Sequence, residues 1–263
     1  MPNRYGTLGV FDSGIGGLSV ANAISGLLPR ENIRYFADNA YAPYGPRPAA
    51  EIRRRSFAIV ADLLAGGSKL IVVACNTATS LAIDALRERW PGVPFVGMEP
   101  AVKPAARAHF PLVLATRATL ASPRYAQLRE RFLGGGRPLR EDHCPGLVPL
   151  IEADDPGLDD YLRELLRPAL AAGVDSIVLG CTHYPLIADR IRAVAGPGVA
   201  LIDPSPAAAR QVARLLDHHA LATPAAAQPP RYDFHCSGGP AALQRALLRL
   251  PALNAHRRWL LPQ

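Results

Sequence analysis

An apolar, β-branched run that ends in a cysteine occurs twice, as Val72-Val73-Ala74-Cys75-Asn76-Thr77 and as Val178-Leu179-Gly180-Cys181-Thr182-His183. Each then passes into what reads as a helix start. In a parallel sheet such a strand delivers its last side chains to the carboxyl edge, where open α/β folds hold their ligands. The two junctions therefore predict strands alternating with helices and two thiols on opposite sides of one small substrate. That pairing suits removal of a proton from one face and its return on the other.

The rest of the chain follows the same alternation. Strand-like runs at Leu8–Phe11, Ile33–Phe36, Leu70–Val73 and Phe95–Gly97 are separated by helical patterns over 18–28, 49–65 and 78–89. Near Met98-Glu99-Pro100 the pattern starts again. A strand at Leu112–Ala115 leads to helices over 122–132 and 158–172, and Ser176–Leu179 repeats the strand-to-cysteine turn. After Pro204 come a helix over 207–218, a Pro/Ala-rich loop over 223–230, a strand at Tyr232–His235 expected at a sheet edge, and a helix over 241–248. Strands alternating with helices predict parallel sheets covered on both faces. The expected architecture is α/β with two pseudo-symmetric lobes, residues 1–99 plus 205–263 and residues 100–204, and a cleft between them.

Several function classes are disfavoured. The first residues carry no apolar signal core and no apolar run is long enough to span a bilayer, so a cytoplasmic protein with no membrane contact is expected. A chain of 263 residues builds its own core, so its four cysteines are expected to be free rather than disulfide-bonded. There is no Cys-x-x-Cys, and Cys181-x-His183 alone falls short of the three or four ligands a tetrahedral metal needs, so no metal site is expected. The only lysines are Lys69, ahead of a strand, and Lys103, in a Pro-rich connection. Neither looks like a Schiff-base lysine, and pyridoxal phosphate is not expected. The net charge of +7 reads as a solvated basic surface that also attracts acidic metabolites. No basic block is interleaved with aromatics, and Arg53-Arg54-Arg55 lies within a helix, so a nucleic-acid partner is disfavoured.

An isolated strand-end cysteine is usually a small buried hydrophobe. The duplicated context favours chemistry for Cys75 and Cys181, because a helix N-terminus stabilises a thiolate. Cys144 and Cys236 lack that context and read as structural. Asp12-Ser13 ends the first strand, where it either caps a helix or meets a ligand. The glycines of Gly14-x-Gly16-Gly17 allow close backbone approach to a ligand, but Ser19 stands where a dinucleotide fingerprint needs its third glycine. Pro43-Tyr44-Gly45 is either a plain turn or a loop folded over substrate. Thr116 and Thr119 follow the first strand of the second lobe, where hydroxyls suit an anion. Glu152 is a carboxylate near the cleft or on the surface.

The segments GVFDSGIGGLSV, YFADNAYAPYG, VVACNTATS, VGMEPAVKPA, ATRATLAS, VPLIEA and LGCTHYPLI together resemble the glutamate racemases of the aspartate/glutamate racemase superfamily. They cover about residues 9 to 187; Asn39, where a small hydroxyl residue is common, and the variable Tyr41-Ala42 depart mildly. The resemblance implies cofactor-independent interconversion of L- and D-glutamate, which feeds peptidoglycan synthesis and cell shape in a bacterium. It implies that Cys75 handles the proton of the D-enantiomer and Cys181 that of the L-enantiomer. Asp12 would tune Cys75, and His183 with Glu152 would tune Cys181. Asp12, Ser13, Pro43, Tyr44, Gly45, Asn76, Thr77, Thr116, Thr119, Thr182 and His183 would bind substrate polar groups. A homodimer is compatible with this reading. A racemase for aspartate is the nearest rival, since one methylene is worth only ~1–3 kcal/mol in a pocket. A nucleic-acid-linked binding protein with a vestigial site is a rival from another class, supported by the basic charge alone.

Overall fold

The structure, a computed structural model, describes residues 3–134, 136–224 and 229–259. Residues 225–228 of the expected Pro/Ala-rich loop lie outside them. Ten strands run in chain order: β1 (Thr7–Asp12), β2 (Ile33–Ala37), β3 (Ser68–Val73), β4 (Phe95–Gly97), β5 (Pro111–Leu114), β6 (Arg140–Asp142), β7 (Ser176–Leu179), β8 (Ala200–Ile202), β9 (Tyr232–Cys236) and β10 (Arg257–Trp259). Helices α1 (Leu18–Leu27), α2 (Ala49–Ala65), α3 (Asn76–Arg89), α4 (Val102–Ala105), α5 (Arg117–Leu120) and α6 (Pro123–Leu133) precede β6. Helices α7 (Leu147–Ala153), α8 (Leu158–Ala171), α9 (Ala188–Ala195), α10 (Ser205–His218), α11 (Ala241–Leu248) and α12 (Pro251–Asn254) follow it.

The strands form two wholly parallel sheets, β10-β9-β2-β1-β3-β4 and β6-β5-β7-β8. The second repeats the order β2-β1-β3-β4 strand for strand. Every residue of β1, β3, β5 and β7 is buried, as expected of central parallel strands covered on both faces. In the first sheet Leu8, Val10, Leu70 and Val72 pack under α1, α10 and α11, while Phe11, Ile71 and Val73 pack under α2 and α3. In the second, Leu112, Leu114, Ile177 and Leu179 meet α7, α8 and α9, and Val113 and Val178 meet α4 and α6.

Two expectations are corrected. The Tyr232 strand, β9, is not at the edge, because β10 pairs with its free side. Lys69 does not precede a strand but lies within β3, where it forms a 2.6 Å ion pair with the buried Glu31. Lys103 lies in the short helix α4.

Candidate active site

In each sheet the chain leaves the first strand for a neighbour on one side and returns to a neighbour on the other. That reversal falls between β1 and β3 and again between β5 and β7, and it opens a crevice at the carboxyl ends of those strands. Asp12 ends β1, Cys75 follows β3, Thr116 follows β5 and Cys181 follows β7. The two crevices face each other around a cavity of about 20 Å³. Ser13, Pro43, Tyr44, Gly45, Cys75, Asn76, Thr77, Thr116, Val148, Cys181, Thr182 and His183 line it. Its volume is about that of one water.

Cys75 caps α3, its Sγ 3.5 Å from the Ala78 N–H, and its thiol donates to Ser13 Oγ at 3.8 Å. The expected lowering of this thiol by a helix N-terminus is overturned. Burial comes first and the Asp12 charge adds to it, so the thiol is pushed up to about 12 despite the Ala78 N–H. Asn76 is buried, and neither its amide nitrogen nor its amide oxygen has a hydrogen-bond partner among the described residues. Such a group is costly unless a ligand or water satisfies it.

Cys181 does not stand at an α-helix start as expected. A tight helical turn over Tyr184–Ile187 follows it, and α9 begins only at Ala188. Pro185 stands in the first turn of that segment, where its missing N–H costs no hydrogen bond. The electrostatic partner of Cys181 is instead His183, whose Nδ1 lies 3.8 Å from Sγ. His183 Nε2 is 2.9 Å from Glu152 Oε1, which also accepts the Ile15 N–H at 3.3 Å. Burial opposes a charge on the fully buried imidazole, but its bonds to Cys181 and Glu152 outweigh that and raise its pKa well above the ordinary value. Burial likewise opposes a charge on Glu152, and His183 outweighs it, leaving the carboxyl below its usual range.

Asp12 Oδ2 accepts the Gly14 N–H at 2.9 Å, and Oδ1 accepts the Thr182 hydroxyl at 3.0 Å, a bond between the edges of the two sheets. Thr77 Oγ1 and Thr116 Oγ1, 2.9 Å apart, form a second. Tyr44 is held by a triad: its hydroxyl donates to the buried Asp38 at 2.5 Å, and the half-buried Arg55 grips both Asp38 oxygens at 2.5 and 2.6 Å. Arg55 therefore turns inward from the arginine run, while Arg53 and Arg54 face solvent.

Three expected site residues do not line the cavity. Thr119 is fully buried and hydrogen-bonds Thr116 instead of facing an anion. Asp12 lies behind Ser13 and Thr182, and Glu152 lies behind His183. The glycines serve the site differently from expectation. A Cβ would lie 1.9 Å from Glu152 Oε1 at Gly14 and 2.4 Å from His183 Nδ1 at Gly16, so they make room for site side chains rather than for a ligand. All four cysteines are free. Sequence reasoning missed the apolar wall residue Val148, which carries no chemical signature, and the Asp38–Arg55 pair, which only the packing of α2 brings together.

The profile of the Asp/Glu/hydantoin racemase family matches residues 18–212. A glutamate racemase of Ectopseudomonas mendocina is 46% identical over 238 residues, 88% of this chain and 90% of its own length. The crystal structure of the Francisella tularensis glutamate racemase in complex with D-glutamate superposes with a TM-score of 0.82 at 28% identity, covering 99% of this chain and 98% of that one. The Escherichia coli glutamate racemase in complex with L-glutamate and the activator UDP-MurNAc-Ala superposes with a TM-score of 0.81 at 34% identity, covering 97% and 98%. With its paired parallel sheets and the two cysteines at their facing edges, this chain belongs to the Asp/Glu/hydantoin racemase family, among the glutamate racemases.

Proposed function

We propose that the chain interconverts L- and D-glutamate without a cofactor, using Cys75 and Cys181 on opposite faces of the substrate. The observation that carries this reading is the small cavity lined by both thiols, Cys75 from the edge of the first sheet and Cys181 from the edge of the second. The two lobes would be residues 1–99 with 205–263 and residues 100–204, hinged so that the cavity opens for glutamate. The α-proton of an amino acid is a very weak acid, so one group must take it while another stands ready to give one back.

From L-glutamate, the Cys181 thiolate takes the Cα proton and becomes a thiol. The electron pair stays at Cα, and the Cys75 thiol gives its proton to the other face and becomes a thiolate. His183, held protonated by Glu152, sets a positive charge beside the sulfur of Cys181. The raised pKa of Cys75 keeps it a thiol in the empty site, ready to serve as the acid. In the D-to-L direction Cys75 must begin as the thiolate. The substrate ammonium then brings a positive charge into the cavity, and the Ala78 N–H and Ser13 hydroxyl assist. Asn76 offers an unpaired donor and acceptor, and Ser13, Thr77, Thr116 and Thr182 offer hydroxyls to the carboxylates and ammonium. Pro43-Tyr44-Gly45 forms one wall, and Thr119 supports Thr116. Acid–base catalysis of this kind supplies ~10²–10⁴ in rate, and positioning in the closed cleft supplies the rest.

The product D-glutamate would feed peptidoglycan synthesis in the bacterial cytoplasm. No described helix is long and apolar enough to cross a membrane. Polarimetry of the purified protein with L-glutamate, then L-aspartate, with no cofactor added, tests the reading. Loss of rotation with glutamate and little with aspartate is expected. Rotation that decays only with added pyridoxal phosphate, or only with aspartate, would overturn it.

A further inference from the structure

Beside the small cavity lies a second, larger one of about 560 Å³. The two share Pro43, Gly45, Thr116 and Val148 in their linings, so they lie side by side. The Thr77–Thr116 hydroxyl pair spans the two sheet edges there.

The outer chamber has a distinct charge. Its described lining includes no carboxylate and two basic side chains, Arg117 and His143, both exposed. Most arginines near the site are spoken for: Arg55 by Asp38, Arg47 by Glu51 and Arg124 by Glu99. Arg117 meets no carboxylate among the described residues, and its one hydrogen-bond contact is to His143 Nε2, at 3.4 Å. A guanidinium has no lone pair to offer, so His143 accepts that bond through a neutral nitrogen. The Arg117 guanidinium, beside the His143 imidazole and over a chamber whose described lining holds no counter-charge, forms a receptor for an anion, and a guanidinium suits a carboxylate in particular.

We propose that this chamber is a staging site for the substrate: Arg117 and His143 hold a carboxylate of the incoming acidic amino acid before the inner cavity opens. The inference rests on the glutamate reading above and adds a binding step to it. Neither residue touches the inner cavity, so their role is in capture and not in proton transfer. Capture by an exposed charge is a steering effect, and salt weakens it.

Steady-state racemisation of L- and D-glutamate by the native enzyme, Arg117→Glu, Arg117→Ala, Arg117→Lys and His143→Ala, measured from low salt to about 0.5 M, tests it. Reversing the charge at Arg117 is expected to raise KM about tenfold with kcat unchanged. Enantiomers are equally stable, so kcat/KM must be equal in the two directions and KM must rise by the same factor for both. Native kcat/KM should fall with salt, Arg117→Ala should flatten that dependence, and Arg117→Lys should restore it. His143→Ala should raise KM more modestly. An active native enzyme with Arg117→Glu indistinguishable in KM and salt dependence overturns the staging site alone. So does a fall in kcat at constant KM, or a KM change seen only in variants with a lowered melting temperature. A native enzyme inert toward glutamate overturns the functional reading on which the site rests.

Discussion

The space that a side chain at Gly14 would occupy belongs to Glu152: a Cβ there would lie 1.9 Å from Oε1. Glu152 Oε1 is the atom that accepts from His183 Nε2 and from the Ile15 N–H. The glycine after the first strand is thus tied to the charge beside Cys181 from across the cleft. Gly14→Ala is expected to push the flexible carboxylate aside rather than unfold the lobe. Stability should fall by only about 1 kcal/mol, the worth of one lost hydrogen bond. Racemisation should fall on the order of 10²-fold, since displacing a positioning group by an ångström costs that much. Thermal melts beside kinetics check it; equal losses of fold and activity would contradict it.

The Asp38 carboxylate is fully buried, and Arg55 is its only cationic partner among the described residues. Arg55→Leu strands that charge and loosens the loop that carries Tyr44. A loss of about 3–5 kcal/mol in stability is expected, as for other broken buried pairs. Arg53→Leu, two residues earlier and exposed, should stay within about 0.5 kcal/mol. Urea melts of the two variants side by side decide whether the triad or the arginine run in general matters.

A stability prediction follows from the proton held by Cys75. Its thiol rises from an ordinary 9.0 to about 12, chiefly through burial. The folded chain therefore binds this proton more tightly than the unfolded chain does. Its contribution is complete below pH 9 and is lost as pH climbs from 9 toward 12, by up to about 1.4 kcal/mol per pH unit. The stability difference between native protein and Cys75→Ala should narrow with rising pH across that window. A difference that stays constant in melts above pH 9 would show that Cys75 is not held as a buried thiol.

Much of this was legible in the sequence. The strands before Cys75 and Cys181 are buried on both faces and so consist of unbroken apolar runs that stand out from the helices around them. Of the edge strands, Phe95–Gly97 was legible and others were not. Arg140-Glu141-Asp142 forms β6 with no apolar residue, and Arg257-Arg258-Trp259 forms β10, because pairing with a neighbour's backbone suffices at an edge. Position relative to the cavity was only partly legible. Thr116 and Thr119 look alike in sequence, yet one lines the cavity and the other is buried beneath it, as one short helical turn dictates. The pairing of Glu152 with His183 joins residues 31 apart, and nothing in local pattern fixes it.

The four cysteines divide by position. Cys75→Ala and Cys181→Ala are each expected to abolish racemisation, since the proposed mechanism assigns each face of the substrate to one of these thiols. Cys144, in the wall of the outer chamber, and Cys236, whose thiol donates to the Gly238 carbonyl, should tolerate alanine with activity near native. Folded, inactive Cys236→Ala protein would contradict the assignment.

Isotope placement at low conversion tests the opposed thiols most directly. Under the proposed mechanism, when L-glutamate is turned over in deuterated water, Cys181 removes protium and Cys75, equilibrated with solvent beforehand, delivers deuterium. Mass spectrometry of the separated enantiomers should find deuterium at Cα in the early D-glutamate and protium in the unreacted L-glutamate. The mirror result should hold from D-glutamate. Extensive deuterium in recovered L-glutamate before D-glutamate accumulates would mean that one group both takes and returns the proton, and the two-thiol mechanism would be wrong.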